Sequence, residues 1–162
     1  GIRRKPTFYS DIEDIVKSNP GHLIGCSSCL GSEISKRILN HEITEVNKFV
    51  RWCYACFGVG NFFLELQPSD NPEQIRVNQV LIKLARHYNI DFIVTTDSHY
   101  LEKADLPLFS AWLNSKASSD REVDSFYKYT YLMGIEEIKS ILCLGISEQD
   151  AEEALNNTMK IL

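Results

Sequence analysis

The chain has 162 residues, a formal net charge of −5, and a composition that is 44% hydrophobic and 24% charged. This is typical of an ordinary globular protein, long enough for one domain with a real core. No apolar run approaches the ~20 residues that cross a bilayer, and the acidic balance argues against a main nucleic-acid groove. The five cysteines are an odd number and no signal peptide is evident, so we expect a cytoplasmic protein with reduced thiols rather than a disulfide framework.

The first third of the sequence predicts helices around one short strand. Ser10 and Glu13 fit a capping box that opens the first helix. Residues 22–27 are a strand candidate that leads into the loop Gly-Cys-Ser-Ser-Cys-Leu-Gly. Residues 33–56 have apolar side chains at helical spacing, and we expect a break near residues 40–41 that divides this stretch into two helices.

The middle of the chain continues this alternation of strand and helix. Residues 61–67 form an aromatic-rich strand candidate, and residues 91–96 form a third one. Between them a helix is expected to start with Asn71 at the N-cap, Pro72 at the first position and Gln74 at the third. This order predicts an α/β fold with parallel strands, either an open sheet or part of a barrel. In both arrangements active sites lie at the carboxyl ends of the strands.

After residue 100 the alternation stops. Residues 104–113 read as a helix, and residues 115–124 form a polar connector that is the best domain boundary in the chain. Two further helices are expected, over residues 135–144 and from Ser147 onward.

Two Cys-x-x-Cys pairs raise the question of a four-thiolate zinc site. Such a site needs both pairs on tight, glycine-rich turns. Cys26 and Cys29 meet this condition, but Cys53 and Cys56 lie at the apolar end of an amphipathic helix, where cysteine packs as a small hydrophobic residue. We therefore favour core packing for the second pair, assign Cys26 to the strand, and keep Cys29 as a candidate metal ligand.

Asp97 and His99 form the second candidate group, directly after the third strand. A carboxylate and an imidazole at this spacing suit Zn, Mn or Fe. The alternative is an aspartate that caps the next turn beside a surface histidine. If the strands are parallel, Cys29 emerges at the same edge as this pair. Glu65 lies on a strand between two leucines and faces away from them, either as a polar anchor or as a site residue.

Several stretches together resemble the bacterial replicative DNA polymerase III alpha subunit. They are 23–34 (LIGCSSCLGSEI), 62–67 (FFLELQ), Glu73 and Gln74 with Asn78, 94–101 (VTTDSHYL) with Asp105 and, more weakly, 131–133, 136–137 and 154–158. The chain looks like the second half of that subunit's polymerase-and-histidinol-phosphatase (PHP) domain. Residues 1–114 would then be a partial PHP domain, 115–125 a connector, and 126–162 the helical start of the polymerase palm.

The resemblance implies a partial, distorted βα barrel with metal ions at the carboxyl ends of its strands, followed by a small helical segment. Cys29 falls where these proteins carry a His or Cys ligand, and Asp97 and His99 fall on the last ligand pair. Members with an intact site use metals such as Zn or Mn for phosphoesterase or 3′–5′ exonuclease activity. The parent polymerase would use Mg and would have DNA and other replisome subunits as partners.

The sequence also departs from the family pattern. It contains no His-x-His pair, which the family has among its first ligands, and Phe109 and Ser110 stand where many relatives carry a histidine. The full cluster would need upstream residues, and the catalytic aspartates of the polymerase would lie downstream, so we expect the chain alone to be inactive. The leading interpretation is a polymerase fragment from a divergent, phage-like branch. The alternatives are a non-catalytic structural module and a free-standing PHP-type phosphoesterase, whose chain should end soon after the Asp-x-His strand.

Overall fold

A parallel three-stranded sheet lies at the centre of the computed structural model, which describes residues 6–115 and 125–161. The strands are β1 (Gly25–Cys26), β2 (Phe62–Leu66) and β3 (Phe92–Val94), with β2 in the middle. Gly25 pairs with Phe62, and Leu64 pairs with Phe92. The predicted parallel α/β arrangement is confirmed, although β1 and β3 are shorter than the predicted stretches 22–27 and 91–96.

Seven α-helices surround or follow the sheet in the described ranges. The predicted break near residues 40–41 is confirmed, because His41 has a φ of 62°, a left-handed conformation that a helix cannot include. The helices are α1 (Tyr9–Ser18), α2 (Glu33–Leu39), α3 (Ile43–Phe57), α4 (Pro72–Tyr88), α5 (Leu106–Ser115), α6 (Ile135–Leu142) and α7 (Glu148–Thr158). None of the described helices is both long and apolar enough to cross a membrane. Residues 116–124, most of the predicted connector, lie outside the described ranges.

The start of α1 differs from the predicted capping box. Phe8 precedes the helix, and its backbone N–H donates to the carboxylate of Asp11 over 2.8 Å. Ser10 is therefore already inside the helix, and Glu13 is free for another role. Its carboxylate accepts a 2.7 Å hydrogen bond from Trp52 Nε1, which ties α1 to α3.

The predicted start of α4 is confirmed, but the role of Gln74 is not the expected one. Asn71 Oδ1 accepts from the backbone N–H of Glu73 over 2.8 Å, and Pro72 occupies the first position. Gln74 does not reach back to the N-cap. It is 3% exposed and donates to Asn78 Oδ1 over 2.9 Å, so this side chain belongs to the interior.

The core fills the face of the sheet that carries Leu64 and Leu66. Both side chains are fully buried, whereas Glu65 between them is half-buried on the opposite face, as predicted. Cys53 lies in this core, which confirms its packing role. The same prediction for Cys56 is wrong, because its side chain is only partly buried and is not among the described residues that form or cover the core. The helices contribute Ile34, Ile38, Val46, Val50, Val77, Leu81, Ala85, Ile138, Leu142, Ala151 and Ala154.

Side chains of α7 bind the backbone of β3. Asn157 Nδ2 donates to the Phe92 carbonyl over 3.1 Å, and the Val94 N–H donates to Thr158 Oγ1 over 3.1 Å. These two backbone groups point away from β2, so the helix satisfies polar groups that another strand would otherwise pair with. The sheet is thus closed on the β3 side by a helix.

Candidate functional site at the carboxyl ends of the strands

The loop after β1 holds Cys29 in a partly buried position. The Cys29 carbonyl accepts from Ser35 Oγ over 3.0 Å and from the Ser32 N–H over 2.9 Å, at the start of α2. Just upstream, the buried Ser27 hydroxyl oxygen accepts a 2.8 Å hydrogen bond from the Glu65 N–H on β2. Both ends of this loop are therefore fixed to regular structure.

The turn after β3 places the backbone of Asp97 against the ring of His99. Asp97 has a φ of 46°, and its carbonyl oxygen lies 2.5 Å from His99 Nδ1. A carbonyl only accepts hydrogen bonds, so Nδ1 must carry the proton in this contact. The neutral ring then has a lone pair on Nε2. A backbone carbonyl that fixes the other ring nitrogen is the usual support of a histidine metal ligand.

Two aromatic rings hold the exposed His99 imidazole in place. Phe109 and Tyr127 contact it edge to face, with ring centroids at 5.8 and 5.2 Å. The His99 backbone N–H also donates to the Thr130 carbonyl over 2.7 Å. Ring position and backbone position are therefore both restrained by residues far away in the sequence.

The segment 127–132, which we call the strap, runs across the ends of β2 and β3. Tyr131 forms a parallel bridge with Tyr100. Lys128 and Tyr129 both bind the carboxylate of Asp70, with Tyr129 Oη at 2.9 Å. These hydrogen bonds, led by the one from Lys128, lower the pKa of Asp70. The strap is thus anchored on both sides of the strand ends.

Glu65 has the contacts of a polar anchor. Its carboxylate accepts hydrogen bonds from Thr95 Oγ1 and, over 3.1 Å, from Gln67 Nε2. Burial raises the pKa of the nearby Cys26 thiol, and the negative charge of Glu65 raises it further. Glu65 therefore links the ends of β2 and β3 on the face of the sheet opposite Leu64 and Leu66.

A cavity of about 830 Å³ opens between the end of β3 and helices α6 and α7. Thr95, Thr96 and Asp97 form one wall, and Lys139, which is ion-paired with two glutamates of α7, forms another. Its apolar lining includes Leu132, Ile135 and Met159, each more than 60% exposed. Sequence reasoning missed this cavity, because apolar periodicity alone does not distinguish exposed apolar side chains from core ones.

The structure brings Asp97 and His99 together after β3. Cys29 follows β1, which lies on the other side of β2. Two strand spacings separate β1 from β3, or about 10 Å. Within residues 6–115 and 125–161, no three His, Cys, Asp or Glu side chains are close enough to hold one ion. Burial also raises the pKa of the Cys53 thiol to about 12, the opposite of what a thiolate ligand requires. The assignment of Cys29, Asp97 and His99 as ligands stays a prediction.

The fold and this edge define a mixed α/β protein with three parallel strands and a polar candidate site where the strands end. Comparison with known proteins identifies its relatives, although no family model matches the chain. It is 37% identical over 175 residues to "Probable DNA polymerase YorL" of Bacillus subtilis (strain 168), and equally to the "DNA-directed DNA polymerase" of Bacillus phage SPbeta. It is 28% identical over 165 residues to "DNA polymerase III subunit alpha" of Thermus aquaticus.

Each of these alignments covers 99% of the chain but only 13% of the relative. The resemblance to the DNA polymerase III alpha subunit is thereby confirmed: the chain is similar to one segment of these polymerases along nearly all of its length. It spans about an eighth of the length of the relatives that it matches.

Proposed function

We propose that the chain works as one segment of a DNA polymerase of the III alpha type, in DNA replication. The observation that carries this proposal is the similarity to such polymerases over 99% of the chain. Polymerisation with Mg, the binding of DNA and replisome subunits, and a cytoplasmic location would be properties of the whole protein. The chain itself would supply a supporting or accessory site.

We further propose that residues 1–114 are part of a PHP-type barrel, with residues 126–162 as the beginning of the palm. Two observations support a larger sheet. Within the described residues, β1 pairs only with β2, so its other edge is open to a further strand. Leu23 and Ile24 beside it are 38% and 44% exposed, as expected for side chains that another element covers. The packing of α7 on β3 would join the two regions closely.

At the carboxyl ends of the strands, Asp97 and His99 would bind Zn or Mn, with Cys29 and residues outside this chain as further ligands. The fit rests on the His99 tautomer, which leaves Nε2 available. A bound metal would supply Lewis-acid stabilisation to a phosphodiester, the chemistry of a 3′–5′ exonuclease. The chain's own part is to orient the ligands: the Asp97 carbonyl holds the His99 proton, and Thr130 holds the His99 backbone.

The test measures two activities of the intact protein that carries this chain, primer extension and removal of 3′-terminal nucleotides. We expect Asp97→Asn and His99→Gln to reduce removal by about tenfold or more while extension changes little. Asp14→Asn is the matched control, because Asp14 is exposed on α1, remote in sequence from the site. Lack of extension in the wild type would contradict the polymerase assignment. Equal removal by wild type and variants would contradict the exonuclease site.

A non-catalytic structural module is the second candidate. Two observations favour it: no group of three ligands occurs in the described part of the chain, and Phe109 and Tyr127 pack against His99 as they would in a structural cluster. In that case the wild-type protein would extend primers without removing 3′ ends. A free-standing phosphoesterase gains no support from relatives that are long polymerases.

A further inference from the structure

A buried amide near the strand ends has one polar atom without a partner. Gln74 is 3% exposed, and no described residue donates a hydrogen bond to its side-chain oxygen, Oε1. A buried carbonyl oxygen left without a donor destabilises the fold. Native proteins satisfy nearly all such groups, with protein atoms or with ordered water.

The orientation of the Gln74 amide is fixed by its neighbour. Asn78 Nδ2 donates to the Gln67 carbonyl over 2.8 Å, and Asn78 Oδ1 accepts from the Gln67 N–H. Asn78 Oδ1 therefore faces Gln74 as an acceptor, and Gln74 must present its NH₂ group to it. Rotating the Gln74 amide by half a turn would place its Oε1 against Asn78 Oδ1, so Oε1 faces away from Asn78.

Gln74 also lines a small cavity beside the strand ends. Gln74, Ser69, Thr96 and Thr130 contribute to its lining, and its volume is about 10 Å³, which is close to the space of one water molecule. Ser69 is 8% exposed, and its oxygen accepts from the Asn71 N–H over 3.0 Å. The hydroxyl proton of Ser69 has no acceptor among the described residues, so the cavity offers one acceptor and one donor.

We propose that this cavity binds one structural water molecule, which donates to Gln74 Oε1 and accepts from Ser69 Oγ. The water would join the first turn of α4 to the loop after β2. Thr130 of the strap forms part of the same wall, and its carbonyl holds the His99 backbone. The water site thus connects α4 with the support of the candidate site.

A crystal structure of the protein at a resolution that shows ordered water tests this. We expect a water peak about 2.6–3.2 Å from both Gln74 Oε1 and Ser69 Oγ. The peak should vanish in Gln74→Met, which keeps the side-chain length, and persist in Gln149→Met, whose position is exposed on α7. Absence of the peak in the wild type, a protein donor in its place, or full retention in Gln74→Met would overturn the proposal. The wild-type map decides alone if Gln74→Met does not fold.

Discussion

Thr158→Val removes the hydroxyl that closes the open edge of β3 while it keeps the shape of the side chain. Thr158 Oγ1 accepts from the Val94 N–H over 3.1 Å and donates to the Ala154 carbonyl over 2.9 Å. Val94 is 5% exposed, so its N–H loses its partner in a place that water reaches poorly. An unsatisfied buried donor costs about 1–3 kcal/mol. Because Thr158 itself is only partly buried, we expect the lower half of this range, about 1–2 kcal/mol.

Urea unfolding of the 162-residue chain, followed by circular dichroism, measures this loss. With a slope of about 2 kcal/mol per M, the midpoint should fall by about 0.5–1 M at an unchanged slope. Thr44→Val is the matched control, because Thr44 is exposed on α3, and surface substitutions change stability by about 0.5 kcal/mol or less. If Thr158→Val loses no more stability than Thr44→Val, the idea that α7 seals the β3 edge is wrong.

Three further predictions concern other long-range contacts. Asn78→Ala leaves the backbone at the end of β2 and the Gln74 amide without their hydrogen-bond partner, so the free energy of unfolding should fall by about 2–4 kcal/mol. The control Asn156→Ala, at an exposed position, should change it little. Arg86→Ala breaks ion pairs with two carboxylates of α7. We expect the free energy of unfolding to fall by about 0.5–1 kcal/mol, and this loss should shrink in high salt because salt screens exposed charges. A loss that does not depend on salt would contradict this. Asp70→Asn removes a carboxylate whose pKa is lowered in the folded chain, mainly by Lys128. The wild type should be more stable than Asp70→Asn above about pH 4, and this difference in stability should disappear as the pH falls through the lowered pKa. A difference that grows in acid would refute the prediction.

The sequence predicted those parts of the fold that short-range patterns determine. The Asn71 and Pro72 start of α4 follows from local capping chemistry, and Cys53 follows from its place on an apolar helix face. The start of α1 was misplaced because Asp11, two residues before Glu13, also provides a capping carboxylate. Local patterns do not decide between two acceptors so close together, whereas the hydrogen bond from Trp52 to Glu13 does.

The candidate site, like the fold, could be predicted from the sequence only in part. The pairing of Asp97 with His99 could be predicted, because both follow one strand directly. The supports of His99 could not, since Phe109, Tyr127 and Thr130 arrive from other elements and their alignment depends on tertiary packing. The same holds for Gln74, whose sequence position fits a capping role but whose partner is Asn78, one helical turn away and in the interior.

The metal content of the intact protein that carries this chain tests the central claim most directly. The protein would be purified, dialysed against Zn or Mn, and measured by elemental analysis, together with Asp97→Asn, His99→Gln and the control Asp14→Asn. The account predicts bound metal in the wild type and the control, and a clear loss in both site variants. A wild-type protein without metal, or site variants that hold as much as the control, would contradict it.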